Sequence, residues 1–181
     1  LVAAVSVATP VFLFLMALGT LFGIGGMSVI IRALGRGNTA RARSTCSFCF
    51  WGCVATGLAS MAVFLLAMTP LLKIIGASDA TSGYVRTYLT IVSFGAVPVV
   101  ISNCFSNILR AEGRTGEAMA GMLIGNIINV VLDPVAILWL DWGIAGAAVT
   151  TVIGNIFGAL YYVVYFLRGK SALSISFKAF L

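Results

Sequence analysis

Five stretches of the sequence, residues 2–33, 44–68, 84–109, 118–140 and 144–167, stay apolar for longer than the about 20 residues a helix needs to cross a bilayer core. Lipid offers no partner to a backbone N–H or C=O, and a helix satisfies those groups within its own segment. The expected fold is therefore all-α: a polytopic membrane helix bundle of about five transmembrane helices, forming a single membrane domain over residues 1–181. A soluble alternative fails on surface chemistry. Only 9% of residues are charged and 61% are hydrophobic, whereas soluble domains carry roughly 25% charged residues.

Eleven Lys and Arg stand against five Asp and Glu, a net charge of +6. No basic face or base-stacking aromatic cluster accompanies this excess, so no nucleic-acid partner is expected. The basic residues fall between apolar runs, where the partner is the lipid bilayer and its anionic leaflet. Arg32, Arg36, Arg41 and Arg43 surround the first connection, Arg110 and Arg114 the third, and Arg168, Lys170 and Lys178 follow the last run. The second connection has Lys73 with Arg86 nearby, and the fourth, Asp141-Trp142-Gly143, has no basic residue. The positive-inside rule then puts the first and third connections and the tail in the cytoplasm. The Leu1 side faces outside and the Leu181 side the cytoplasm, in a multi-pass arrangement in the plasma (inner) membrane. Leu1 already lies within an apolar run longer than the roughly 7–15 residues of a signal-peptide core, so the expectation is a fragment preceded by further chain.

Several motifs are read as structural. Cys46, Cys49 and Cys53 recur at helical spacing, and Cys104 stands apart. A C-x-x-C pattern suggests metal or redox chemistry, but the chain contains no His to complete a mixed zinc set, and small polarizable packing residues are the simpler reading. Gly19-x-x-x-Gly23, Gly121-x-x-x-Gly125 and Gly154-x-x-x-Gly158 suit close helix approach. Arg32-Ala-Leu-Gly-Arg36 and Arg110-Ala-Glu-Gly-Arg114 repeat an R-A-x-G-R pattern where helices meet the cytoplasm, with a Gly available for a left-handed cap. A functional version of this echo is a cytoplasmic gate. Pro10 and Pro98 read as kinks, and Phe12, Phe14, Trp139 and Trp142 as lipid or interface contacts. No phosphate-cradling or dinucleotide motif is present, and without His no Ser-His-Asp triad exists. No catalytic residue, cofactor or enzymatic activity is expected.

The chemistry concentrates in NIINVVLDPV, residues 126–135. Asn126, Asn129 and Asp133 are spaced i, i+3, i+7 and share one helix face. An Asp at the centre of a membrane helix costs about 2.5–3.5 kcal/mol on insertion scales. That cost is met if Asp133 faces a polar cavity, binds a cation or is protonated. Pro134 lacks an N–H, leaves the Val130 carbonyl without its helical partner, and serves as a hinge. Across the Asp141-Trp142-Gly143 turn, Thr150 and Thr151 lie at similar depth and offer hydroxyls to the same place, with Asn155 one turn deeper. Each of these residues also has a packing reading, since membrane helices use Asn and Thr for interhelical hydrogen bonds. For Asn103 and Asn107, near the inner end of the third run, packing is the favoured one.

The series MALGTLFGIGGMSVIIRALGRGN, VRTYLTI, NILRAEGRTGEAM, NIINVVLDPV and WGIAGAAVTTVIGN resembles the MATE family, the multidrug and toxic compound extrusion transporters, in order and spacing over nearly the whole chain. The most specific piece is N-x-x-x-D-P followed by G-I-x-G-A-A-x-x-T. The resemblance implies a partial MATE-type lobe, the second to sixth helices of the N-terminal lobe of a transporter with about twelve helices. It implies a secondary active antiporter that exports small organic cations or drugs in exchange for Na⁺ or H⁺. Asn129, Asp133 and Thr151 then correspond to the ion- or proton-coupling site, with Asn126 contributing nearby. Bound Na⁺ at Asp133, Asn129 and Thr151 is the one metal expected. The family's first helix and second lobe are absent from this sequence, so the partner needed for transport is the remainder of the same chain. Two rival functions remain in view. A lipid-linked oligosaccharide flippase or exporter of the same superfamily calls for a cationic cavity, and a non-transporting membrane subunit or channel uses Asp133 only to fix helix packing.

Overall fold

The computed structural model describes residues 2–74, 79–139, 142–168 and 173. The side chain of Lys73, the turn residue Asp141, Lys170, Lys178 and the amphipathic tail lie outside the described residues. Helices are α1 (Val2–Gly35), α2 (Thr39–Leu66), α3 (Met68–Ile74), α4 (Asp79–Phe94), α5 (Ala96–Ala111), α6 (Thr115–Pro134) and α7 (Gly143–Leu167), with a π-helical turn at Val135–Trp139 after α6. No strand occurs among the described residues. The chain is an all-α membrane bundle. Four helices are long and apolar enough to cross a membrane, and α4 with α5 makes a fifth span bent by 56°.

That bend is where the third apolar run was expected to be continuous. Pro98 removes the N–H that would bond the carbonyl of residue 94, and its ring crowds the same carbonyl. The break falls at Gly95, between α4 and α5. A side chain there would sit 2.5 Å from Val152 of α7, so the bend also lets the broken span pack closely. Pro10 has no such effect, since α1 runs unbroken past it.

The connections are shorter than the sequence suggested. Residues 36–38 join α1 to α2 and residues 112–114 join α5 to α6. Arg41 and Arg43 therefore lie in the first turns of α2, not in a loop. Both connections close in the same way. The Asn38 N–H bonds Ala33 O at 2.9 Å and Gly37 N–H bonds Leu34 O at 2.9 Å. Likewise the Arg114 N–H bonds Leu109 O at 2.9 Å and Gly113 N–H bonds Arg110 O at 3.1 Å. Gly37 and Gly113 hold φ of 70° and 79°, the left-handed cap that an L side chain resists. Aligned on these caps, the internal echo is Gly37-Asn-Thr-Ala-Arg-Ala42 against Gly113-Arg-Thr-Gly-Glu-Ala118. The R-A-x-G-R match is two residues out of register, and Gly35 is helical rather than a cap.

Glycines set the helix contacts. A Cβ on Gly19 would lie 2.6 Å from Val100 O, and one on Gly23 would lie 3.1 Å from Cys104 Cα, so α1 and α5 run side by side in the same direction. Gly158 approaches Ser102, and Phe105 meets Phe166 with ring centroids 4.9 Å apart, which makes α7 parallel to α5 as well. Arg32, Arg36, Arg110, Arg114 and Arg168 consequently gather at one end of the bundle. The α6–α7 pair is antiparallel. Here Gly125 and Gly154 stand face to face, each with its Cβ position under 3.0 Å from the other's carbonyl oxygen. The Gly-x-x-x-Gly pairs of α6 and α7 are thus one joint contact. The core of α1, α2, α4 and α5 centres on Leu15, Ile30, Leu89 and Phe105, all fully buried. In contrast, α6 turns Met119, Leu123, Ile127, Val130 and Val131 outward.

Candidate functional site

Close approach of α6 and α7 at Gly125 and Gly154 brings the last two turns of α6 against the first turns of α7. Asp133 lies at the end of α6, half-buried, with Pro134 ending the α-helix beside it. The Thr150 hydroxyl donates to Asp133 Oδ1. Thr150 is 2% exposed, so this donor is withheld from water. Gly146 O and Ala147 O also lie within reach of the same hydroxyl, at 3.1 and 3.0 Å. A carboxylate is the stronger acceptor and takes the single proton.

Asn129 is the second partner. With its amide nitrogen toward Asp133 it donates to Oδ2 at 3.2 Å, and its oxygen accepts from the Thr151 N–H at 3.1 Å. The opposite orientation leaves only a 3.4 Å contact from the nitrogen to Thr151 Oγ1. Only the first orientation gives both the amide nitrogen and the amide oxygen a partner, which selects it. Thr151 Oγ1 itself bonds back to Ala147 O at 2.8 Å. The carboxylate is thereby gripped by one hydroxyl and one amide from two helices.

Next to this grip lies a cavity of about 300 Å³ between α1, α5, α6 and α7. Asn103, Asn126, Asn129, Thr151 and Asn155 line it together with Ser102 and Ser106. Phe12, Met16 and Met122 supply its apolar wall. Asp133 is not part of the lining and is reached through Asn129 and Thr151. The oxygens of Asp133, Asn129 and the two threonines are the hard ligands that Na⁺ prefers, and the same set suits a proton.

Of the two threonines that the spacing placed at this depth, Thr150 is the direct partner of the carboxylate, and Thr151, which the family resemblance favoured, meets Asn129 instead. Asn126 does not touch Asp133; it stands exposed at the cavity, about two turns away. Asn103 and Asn107 bond back to Val99 O and Asn103 O, each at 3.0 Å, as packing residues do, yet Asn103 also faces the cavity. Ser102 and Ser106 were not singled out by sequence, and their only signal was the polar density of residues 102–107. Phe12 lines the cavity instead of facing lipid, whereas Phe14, Trp139 and Trp142 are exposed as expected. The four cysteines are free and buried. Cys49 donates to Phe22 O at 3.6 Å, so this thiol helps pack α2 against α1.

The family profile described as MatE matches residues 1–135. The multidrug export protein MepA of Staphylococcus aureus (strain NCTC 8325 / PS 47) is 33% identical over 98% of this chain, covering 40% of that protein. A solved inward-facing conformation of a multidrug resistance MATE family transporter of the MOP superfamily superposes with a TM-score of 0.92 at 28% identity, over 99% of this chain and 41% of its own. An outward-facing conformation, described in the same terms, superposes with a TM-score of 0.93 at 28% identity, over 99% of this chain and 40% of its own. The chain thus spans about 40% of the length of the curated relatives it matches. With the motif order, the helix arrangement and the profile in agreement, this multi-pass membrane chain belongs to the MATE family.

Proposed function

We propose that this chain is part of the N-terminal lobe of a secondary active antiporter that exports organic cations or drugs in exchange for Na⁺ or H⁺. The lobe sits in the cytoplasmic membrane, with the arginine-rich end inward. The observation that carries the reading is the grip of Thr150 and Asn129 on Asp133 beside an amide-lined cavity. A carboxylate in this position exchanges one ligand for another. When Na⁺ or a proton occupies it, the charge is neutralised and Asn129 and Thr151 are free to turn toward that ion. When the ion leaves, the carboxylate attracts a cationic substrate into the neighbouring cavity. Coupling requires only that ion and substrate bind the two transporter states with different affinity. Pro134 and the π-turn after it supply backbone that yields at the end of α6.

The MATE relatives named as multidrug exporters support the transport class. The absence of Lys or Arg among the residues lining the cavity favours cationic cargo over the anionic lipid-linked sugars of a flippase. The test is efflux of a fluorescent organic cation from vesicles containing the full-length parent, under imposed Na⁺ or H⁺ gradients. Asp133→Asn is expected to abolish gradient-driven efflux at normal protein yield, and the gradient that drives the parent identifies the ion. Unchanged efflux in Asp133→Asn overturns the assignment. Parallel loss of yield and stability assigns Asp133 to packing instead.

A further inference from the structure

We infer that Arg110 and Met122 form a charge barrier that closes the arginine-rich end of the cavity to cations. The inference rests on the reading above that the cavity leads to the coupling site. Met122 lines the cavity, and its thioether accepts from Ser106 Oγ at 3.4 Å on the cavity side. From the other side Arg110 Nη2 reaches the same sulfur at 3.3 Å, while Arg110 Nη1 lies 3.5 Å from Asn107 Oδ1. Met122 thus stands between the polar lining and the guanidinium, latched from both sides.

The two contacts of the Arg110 guanidinium are to neutral acceptors, and no carboxylate pairs with it among the described residues. The next arginine differs, because Arg114 is paired with Glu117 at 3.4 Å. Arg110 does not line the cavity but reaches its wall through Met122. Placed there, it repels Na⁺ and H₃O⁺ from a polar space whose amides and hydroxyls would otherwise conduct them, the same device that excludes cations from selective pores. Met122 and Asn129 are seven residues apart on α6, about 10 Å along the helix. A unit charge at or beyond that distance, partly screened by solvent, lowers cation occupancy there by roughly two- to tenfold. The ion's route to the site therefore avoids the arginine-rich end.

The experiment uses the full-length transporter in vesicles with no organic cation present. Decay of an imposed Na⁺ or pH gradient is followed with an entrapped indicator. Arg110→Gln is expected to speed the decay several-fold, and Met122→Ala, which leaves the charge in place, is expected to do less. Arg110→Lys, which keeps the charge, is expected to stay within about twofold of the parent. Decay at the parental rate in Arg110→Gln overturns the barrier. Equal leak in Arg110→Lys and Arg110→Gln also overturns it, since the hydrogen bonds rather than the charge would then matter. The double variant Asp133→Asn with Arg110→Gln separates the two readings. Loss of the leak supports both, whereas a leak that persists upholds the barrier and counts against Asp133 as the coupling site.

Discussion

Gly154→Ala probes the contact that builds the site. A Cβ on Gly154 would lie 2.6 Å from Gly125 O and 3.5 Å from Asn129 Cβ, and 3.4 Å is the lower bound of ordinary contact. The obstructing atom is backbone, so α6 and α7 must separate by roughly 0.8 Å. Overpacking of this kind costs about 1–3 kcal/mol. The separation also acts on the bonds that cross the gap. Asn129 Oδ1 to Thr151 N, now 3.1 Å, would lengthen to about 3.9 Å, outside hydrogen-bond range. Each lost bond adds about 0.5–1.5 kcal/mol, for a total near 2–4 kcal/mol and a loosened hold on Asp133. The assay is reversible denaturation of the full-length transporter in mixed micelles, paired with gradient-driven efflux. Gly116→Ala is the control, because its Cβ meets nothing within 4 Å, and it should stay within about 0.5 kcal/mol of the parent. Gly125→Ala opens the same gap from the other helix, so the double variant should cost less than the sum of the singles. Parental stability and coupling in Gly154→Ala would refute the idea that this contact sets the site.

Two other substitutions separate roles within the pair. Thr150→Val keeps the shape but removes the donor to Asp133, and should reduce gradient-driven efflux about tenfold. Thr151→Val should do less, since that hydroxyl already bonds Ala147 O at 2.8 Å, and equal losses in side-by-side efflux assays would reverse the ranking. Tyr162→Phe deletes a fully buried hydroxyl that donates to Ala118 O at 2.7 Å. It should lower unfolding stability by about 1–2 kcal/mol without altering which gradient drives efflux, and a change of ion preference would contradict a purely structural Tyr162.

What the sequence revealed depended on the physics of each feature. Span number and the shared end of the arginines follow from hydropathy and loop charge, which act residue by residue. The shared face of Asn126, Asn129 and Asp133, with Thr150 and Thr151 opposite, followed from helical periodicity and the shortness of one turn. The choice between Thr150 and Thr151 did not, because the two are 100° apart on a helix and only the rotation of α7 against α6 decides which faces the carboxylate. That rotation is fixed by Gly125 and Gly154, whose mutual contact no single-helix pattern exposes. Phe12 was misread for the same reason: an aromatic at a helix face looks alike whether lipid or a cavity lies opposite. The bend at Gly95 was half-legible. Pro98 signalled a kink, but its size depends on α7 offering Val152 to fill the space.

The same helices superpose equally well on inward- and outward-facing relatives, which limits where coupling can arise. A ligand that binds two states with equal affinity shifts nothing, however tightly it binds. If the inner geometry of the lobe is common to both states, then the grip of Thr150 and Asn129 on Asp133 is common to both as well. Under the proposed antiport, the difference that couples ion to substrate comes from one of two places within this lobe. One is the open side of the cavity, where Asn126 is exposed. The other is a local element small enough to change while the overall superposition holds. The π-turn at Val135–Trp139 is such an element. It begins at the residue after Pro134, and its Ala136 carbonyl accepts the Trp142 N–H at 3.1 Å, tying the end of α6 to the start of α7. A shift of hydrogen-bond register there would move Asp133 relative to Thr150 by a fraction of a turn and leave the Gly125–Gly154 contact intact. Asp133 is thus placed where a rigid helix pair meets the one turn beside it that can change.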